Sequence, residues 1–267
     1  MEIQRLPRAA RQLARLRIEP TPGENRLRVN CRACPVRNLP AFKKLSDDRI
    51  DFIQSMKSHH LQFDAGSWII HAGQAAELYT LFSGWAFRFK TLPDGRRQIL
   101  NFILPGDLLG LQASLFSDAL YDVVALTDVE LCVFPRNKLW SLFERMPDLA
   151  FDTTWLGARE ESQVDDNLTT VGARSATERV AALIIGLYRR ADLLGMVADK
   201  TLLFPLGQQH VADALGLSLV HTNKTINRLK RMGVFDLSHG LLTMQNFGVL
   251  KRIAQAFDIE IAPRPLI

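Results

Sequence analysis

The stretch Gln208–Gly233, QQHVADALGLSLVHTNKTINRLKRMG, constrains the fold of this 267-residue chain more than any other. Val211 and Leu215 form an i/i+4 apolar pair, the spacing of one face of a short helix over Gln208–Leu215. Ala212 is small where two crossing helices would touch, and Gly216 offers the positive φ of a tight turn. Ser218 is placed to N-cap a second helix over Leu219–Met232, which carries Lys224, Arg228, Lys230 and Arg231 and no acidic residue. A helical hairpin with a solvated basic face would also satisfy this pattern. The turn spacing, the cap and the one-sided charge together favour a helix-turn-helix whose second helix enters the major groove of double-stranded DNA. Its candidate contacts are Ser218, Val220, His221, Asn223, Lys224, Asn227, Arg228, Lys230 and Arg231.

Net charge adds less than its value of +5 suggests. Residues 1–40 hold nine arginines against Glu2, Glu19 and Glu24, which is +6 and leaves −1 for the rest. The DNA-binding argument therefore rests on the second helix alone. At 47% hydrophobic and 23% charged residues the composition is that of a folded chain of one large or two medium domains. No apolar run reaches the roughly 18–20 residues of a membrane span. With no apparent signal peptide, the expected compartment is the cytoplasm. Three cysteines argue against a disulfide framework and leave metal or redox chemistry open.

In chain order, residues 1–30 read as a basic extension. Cys31-Arg-Ala-Cys34 has the C-x2-C spacing at which two thiolates grip one ion or one cluster edge. Asp47–His60 reads as a helix with Ile50, Ile53 and Met56 on one side. From Leu61 to Pro135, short β runs are broken by glycines, the texture of a small antiparallel β-barrel or jelly roll. In it Trp85, Phe87 and Phe89 alternate with Ala86, Arg88 and Lys90, predicting a strand with one polar face, and Pro93-Asp-Gly95 predicts a hairpin turn. Asp148–Val171 predicts a long helix with a thin seam of Leu149, Leu156, Val164, Leu168 and Val171, which calls for a second copy of itself. Ser175-Ala-Thr-Glu178 is a capping box that restarts a helix through about Leu194. Val234–Leu237 and Leu241–Met244 predict a two-stranded wing, and Phe247–Phe257 a final amphipathic helix.

Barrel, long helix and winged helix-turn-helix in this order resemble the Crp/Fnr superfamily of bacterial transcription regulators. The residues that carry the resemblance are Gly73, Gly84, Asp94-Gly95, Pro105-Gly106-Asp107, Gly110, the segment Arg174–Arg179 and the helix-turn-helix. The fold class expected is α+β: an N-terminal β-barrel like a cyclic-nucleotide-binding domain (31–147), a dimerisation helix and hinge (148–173), a winged helix-turn-helix (174–257) and a C-terminal tail (258–267). The resemblance implies a homodimer on a two-fold DNA site, with RNA polymerase as a further partner. No nucleophile–base pair, phosphate loop or H-E-x-x-H motif points to an enzyme.

The signal is the open question. Cyclic-nucleotide sensors of this family use a Gly-Glu pair for the ribose, and an Arg-Ser or Arg-Thr pair for the phosphate. Here Leu111 follows Gly110, and no Lys or Arg lies between Arg97 and Arg136, so a cyclic nucleotide is not expected. The Fnr branch holds a [4Fe–4S] cluster on four cysteines. Cys31, Cys34 and Cys132 match three of those positions, while Pro40 occupies the remaining one and cannot ligate. Asp47 or Asp48 could substitute, the site could be a relic, or haem could use His59, His60 or His71. A regulator without a cluster, constitutive or bound to another small effector, stays open beside these. Val220 and Lys224 stand where the family's base-reading Glu and Arg would be, so a different operator is expected.

Overall fold

The computed structural model describes residues 29–256 and 262–267. Residues 1–28 of the basic extension and the end of the expected final helix lie outside these. The chain divides into two compact units. Among the described residues one holds 29–96, 100–164 and 262–267, and the other holds 97–99 and 165–256.

The first unit begins with single 3-10 turns at Cys31–Ala33 and Val36–Asn38, then helix α1, Asp47–Met56, which buries Ile50, Phe52, Ile53 and Met56. The sequence suggested a helix running on to His60. Instead Lys57 turns extended (φ −64, ψ 130), and His59–Phe63 becomes strand β1. Pairing with β8 (Val129–Phe134) places His60 opposite Cys132, a ladder that wins over continuing the helix through Lys57–His60. The remaining strands are β2 (Trp68–Ile70), β3 (Leu78–Ser83), β4 (Ala86–Thr91), β5 (Arg97–Ile103), β6 (Leu108–Leu109) and β7 (Asp122–Ala125). They form two four-stranded sheets, ordered β1-β8-β3-β6 and β2-β7-β4-β5. Ile70, Leu81, Ile103, Val123 and Leu131 are among the side chains of the core. The Asp94-Gly95 turn joins β4 to β5 as the sequence suggested, with the Leu92 N–H donating to Arg96 O at 2.7 Å.

Two glycines are fixed by space as well as by φ. A Cβ on Gly84 (φ +87) would lie 2.2 Å from Asp128 O, and one on Gly110 (φ +80) 2.1 Å from Glu77 O. Gly110 opens the short helix α2, Leu111–Phe116. Helix α3 (Leu139–Arg145) follows, and then α4, Pro147–Ala173, the long helix. Leu149 and Leu156 of the expected seam are buried within the chain's own fold, while Leu168 is 70% exposed and Phe151 69%.

In the second unit α5 (Ala176–Leu193) starts at the expected capping box. The Ser175 N–H donates to Glu178 Oε2 at 2.7 Å, and the Glu178 N–H to Ser175 Oγ at 3.5 Å. Helices α6 (Gln208–Leu215) and α7 (Leu219–Arg231) follow. The wing has four strands where two were expected. Beside β11 (Phe235–Ser238) and β12 (Leu241–Met244) lie β9 (Val197–Ala198) and β10 (Thr201–Leu203), in the order β11-β12-β10-β9. Strands this short leave no periodic signal. The last described helix, α8, is Phe247–Ile253.

Candidate nucleic-acid interface and cysteine pocket

The turn between α6 and α7 is built as its residue types dictate. Val211, Ala212 and Leu215 are buried, Gly216 sits at φ +61, and Leu217 N–H donates back to Ala212 O at 3.1 Å. Ser218 Oγ accepts from His221 N–H at 3.2 Å, so the cap is made. Arg179 closes the other end, donating from Nη1 to Leu215 O at 3.1 Å and from Nε to Arg174 O at 2.8 Å.

Helix α7 buries Thr222, Thr225, Ile226 and Leu229, an i, i+3, i+4, i+7 stripe. The opposite face leaves Ser218, Val220, His221, Asn223, Lys224, Asn227, Arg228 and Arg231 exposed, with Val220 at 65%. Asn227 Nδ2 donates to Asn223 Oδ1 at 2.6 Å, which fixes both amides on that face. Lys230 departs from expectation. Its ammonium donates to Leu237 O at 2.9 Å and lies 3.0 Å from Asp236 Oδ1, tying α7 to β11. That contact holds the Asp236 carboxyl below its usual range. The exposed cations of the helix are thus Lys224, Arg228 and Arg231.

In the barrel unit the three cysteines line one pocket, although Cys132 is remote in sequence from Cys31 and Cys34. Burial pushes the Cys31 thiol up and the Cys132 thiol up to about 12, so both are held as neutral SH groups. Lys57, only 2% exposed, reaches into the group. Its ammonium donates to Val29 O and to His60 Nε2 at 3.3 Å, and it hydrogen-bonds Cys31. His60 Nε2 is also 3.4 Å from Cys132 Sγ, and its Nδ1 pairs with Glu130. The expected alternative ligands are elsewhere: Asp47 pairs with Arg32 at 2.9 Å, and Asp48 is exposed. His59 is exposed and His71 stacks on Trp68 at 4.8 Å, so the three histidines do not converge on a haem.

The residues present do not fit an iron–sulfur cube. The space left among the thiols is ≈ 20 Å³, room for about one water. The chain itself fills the remainder, with Lys57 on one side and Leu266 and Ile267 on another. Among the described residues no three Cys, His, Asp or Glu side chains converge on one ion position.

A second small cavity, also ≈ 20 Å³, is lined by Asn101, Asp107, Leu156, Arg159, Glu160, Gln163 and Arg264. Arg88 of β4, expected on a polar face, is instead buried beside it. Its guanidinium pairs with Glu160 at 2.5 Å and lies 4.8 Å over the Tyr121 ring. The interior of the barrel therefore does hold a cation, from β4, which precedes the Arg97–Arg136 segment that lacks one. Glu160 already neutralises it.

Two family models match: a cyclic nucleotide-binding domain over residues 60–146 and a Crp-like helix-turn-helix domain over residues 178–253. The transcriptional activatory protein AadR of Rhodopseudomonas palustris is 31% identical over 199 residues, 74% of this chain and 82% of that one. The chain belongs to the Crp/Fnr family of transcription regulators. Among other Crp/Fnr relatives, the nitrogen fixation regulation protein FixK of Bradyrhizobium diazoefficiens is 29% identical over 85% of this chain and 94% of its own. The transcriptional activator FnrL of Cereibacter sphaeroides is 26% identical over 78% and 84%. The crystal structure of FixK2 from Bradyrhizobium japonicum shares the fold, with a TM-score of 0.68 over 75% of this chain and 98% of that one, at 23% identity. Among the described residues no helix is long and apolar enough to cross a membrane.

Proposed function

We propose that this Crp/Fnr regulator works in the cytoplasm as a homodimer that reads a two-fold DNA site with the exposed face of α7, without an iron–sulfur cluster. The observation that carries the reading is that face. Lys224, Arg228 and Arg231 are displayed with Ser218, Val220, His221, Asn223 and Asn227, and no carboxylate interrupts them. Val220 presents methyl groups where a hydrogen-bonding side chain is expected, which favours contact with a thymine methyl. Leu168 and Phe151, both solvent-exposed on α4, are apolar side chains left for a second copy. AadR and FnrL are both named as activators, which supports RNA polymerase as a further partner.

Lack of room and the presence of Lys57 speak against a cluster on Cys31, Cys34 and Cys132, and the second cavity is too small for a cyclic nucleotide. The signal is accordingly some other effector, or the regulator is constitutive. The test is a selection of DNA sites from a random pool with purified protein, in air and under anoxia. Equal enrichment of one inverted repeat in both supports the reading. Enrichment only under anoxia, in protein that carries iron and sulfide, overturns its cluster-free part.

A further inference from the structure

Residues 262–267 read as a tail, yet they belong to the barrel unit and are tightly held there. Main-chain bonds fix Arg264 in both directions: its N–H donates to Ala41 O and its carbonyl accepts from Lys43 N–H, each at 2.9 Å. Its guanidinium, 5% exposed as a residue, pairs with Asp107, donates to Pro105 O at 3.0 Å and lies 4.9 Å over the Phe42 ring. Farther along, Arg37 Nη1 donates to Leu266 O at 3.1 Å and Thr80 Oγ1 to Ile267 O at 2.5 Å. The Leu266 and Ile267 side chains, both 4% exposed, line the cavity beside Cys31, Cys34 and Cys132. A charged anchor, four fixed main-chain groups and two buried apolar side chains are the elements by which a protein recognises an extended peptide.

We infer that Arg264–Ile267 is a latch, an internal peptide ligand whose docking closes the cysteine pocket. The groove is specific. Asp107 and the Phe42 face select an arginine, and the cavity beyond selects two aliphatic residues two and three positions later. While the latch is docked, Leu266 and Ile267 restrict the access of metals, oxidants and alkylating reagents to the Cys31 and Cys132 thiols, and a cluster and the latch exclude one another.

The inference stands on the barrel unit alone, and its test uses no DNA, so its failure is distinct from a failure of the DNA-binding reading. In the unmodified full chain, hydrogen exchange followed by mass spectrometry should show joint protection of the Lys43 and Arg264 amides. Leu266→Asp places a carboxylate in the apolar cavity and should expel the segment. Iodoacetamide labelling of Cys31 and Cys132 should then accelerate by about tenfold or more, because labelling follows the open population. A fluorescent synthetic peptide of residues 262–267 should bind the Leu266→Asp chain and restore protection, and the same peptide with Asp for Leu should not. Should Leu266→Asp fail to fold, Arg264→Ala, which cuts only the anchor, carries the same expectation for labelling and for loss of the Lys43 protection. Exchange of Lys43 and Arg264 at unfolded-chain rates in the unmodified protein overturns the latch, as does unchanged labelling in a folded variant or failure of the wild-type peptide to bind.

Discussion

Four basic side chains ride on α7, and their surroundings separate them. Lys224 and Arg228 lie on the exposed face one turn apart, in reach of base edges. Replacing either with alanine should weaken operator binding by about 1–3 kcal/mol. Titration of one duplex at constant salt is the check, and wild-type affinity in the double variant would mean that another element reads the DNA. Arg231 and Lys230 are adjacent, and only the structure tells them apart. Arg231→Ala should lower the slope of log K against log salt by about one. Lys230→Met should leave that slope unchanged and slightly lower the melting temperature, since the Asp236 contact is a half-exposed pair of roughly 0–1 kcal/mol. Slopes that fall equally in both variants would count against the distinction. The sequence could not have made it, because the partners of Lys230 lie across a turn in β11, whereas Ser218, Gly216 and the Thr222–Leu229 stripe announce themselves by local spacing.

At the scale of elements, α4 does two jobs in succession. Its first turns pack on the barrel through Leu149 and Leu156, and its later turns expose Leu168 beside Asp165 and Asp166. If those carboxylates face their copies across a two-fold, Asp165→Ala or Asp166→Ala should tighten the dimer. Sedimentation velocity over a concentration series reads this out, and unchanged association in both variants removes the idea. In mid-helix, Glu160 meets Arg88 in the interior. Arg88→Met should cost about 2–3 kcal/mol at pH 7, below the full cost of breaking a buried pair, because a partly buried carboxylate loses its nearest counter-charge. Burial raises the Glu160 carboxyl. A raised folded value means that its protonated form favours the fold, so that contribution is complete below the unfolded carboxylate range and is lost as pH rises through the folded value. Urea melts should therefore show the Arg88→Met deficit shrinking from pH 7 to pH 4.5. A deficit equal at both pH values would show that Glu160 is not the cause. Sequence reading succeeded where an element carries its own boundary, as in the Ser175–Glu178 box. It failed where a distant element decides. His59 and His60 fit a helix extension until β8 supplies a ladder for them, and alternation put Arg88 outside until Glu160 appears opposite it.

For the molecule as a whole, architecture was legible because each layer has its own texture: glycine-broken β runs, a helix with no proline past its first residue, and a turn between two short helices. The closure of the barrel unit was not. Ala262-Pro-Arg-Pro-Leu-Ile267 has the composition of a linker, and its burial depends on Phe42, Thr80 and Asp107, the last of which already precedes Arg264 by 157 residues. This separation has a consequence in time. A ribosome that has finished residue 164 must add about 100 more before Arg264 exists, roughly 5–20 s at ordinary elongation rates. Through that interval the newborn barrel has its sheets and its three thiols, without the Leu266 and Ile267 side chains that line their cavity. Whatever first meets those thiols in the cell does so then, before the end of the chain arrives to shut them in.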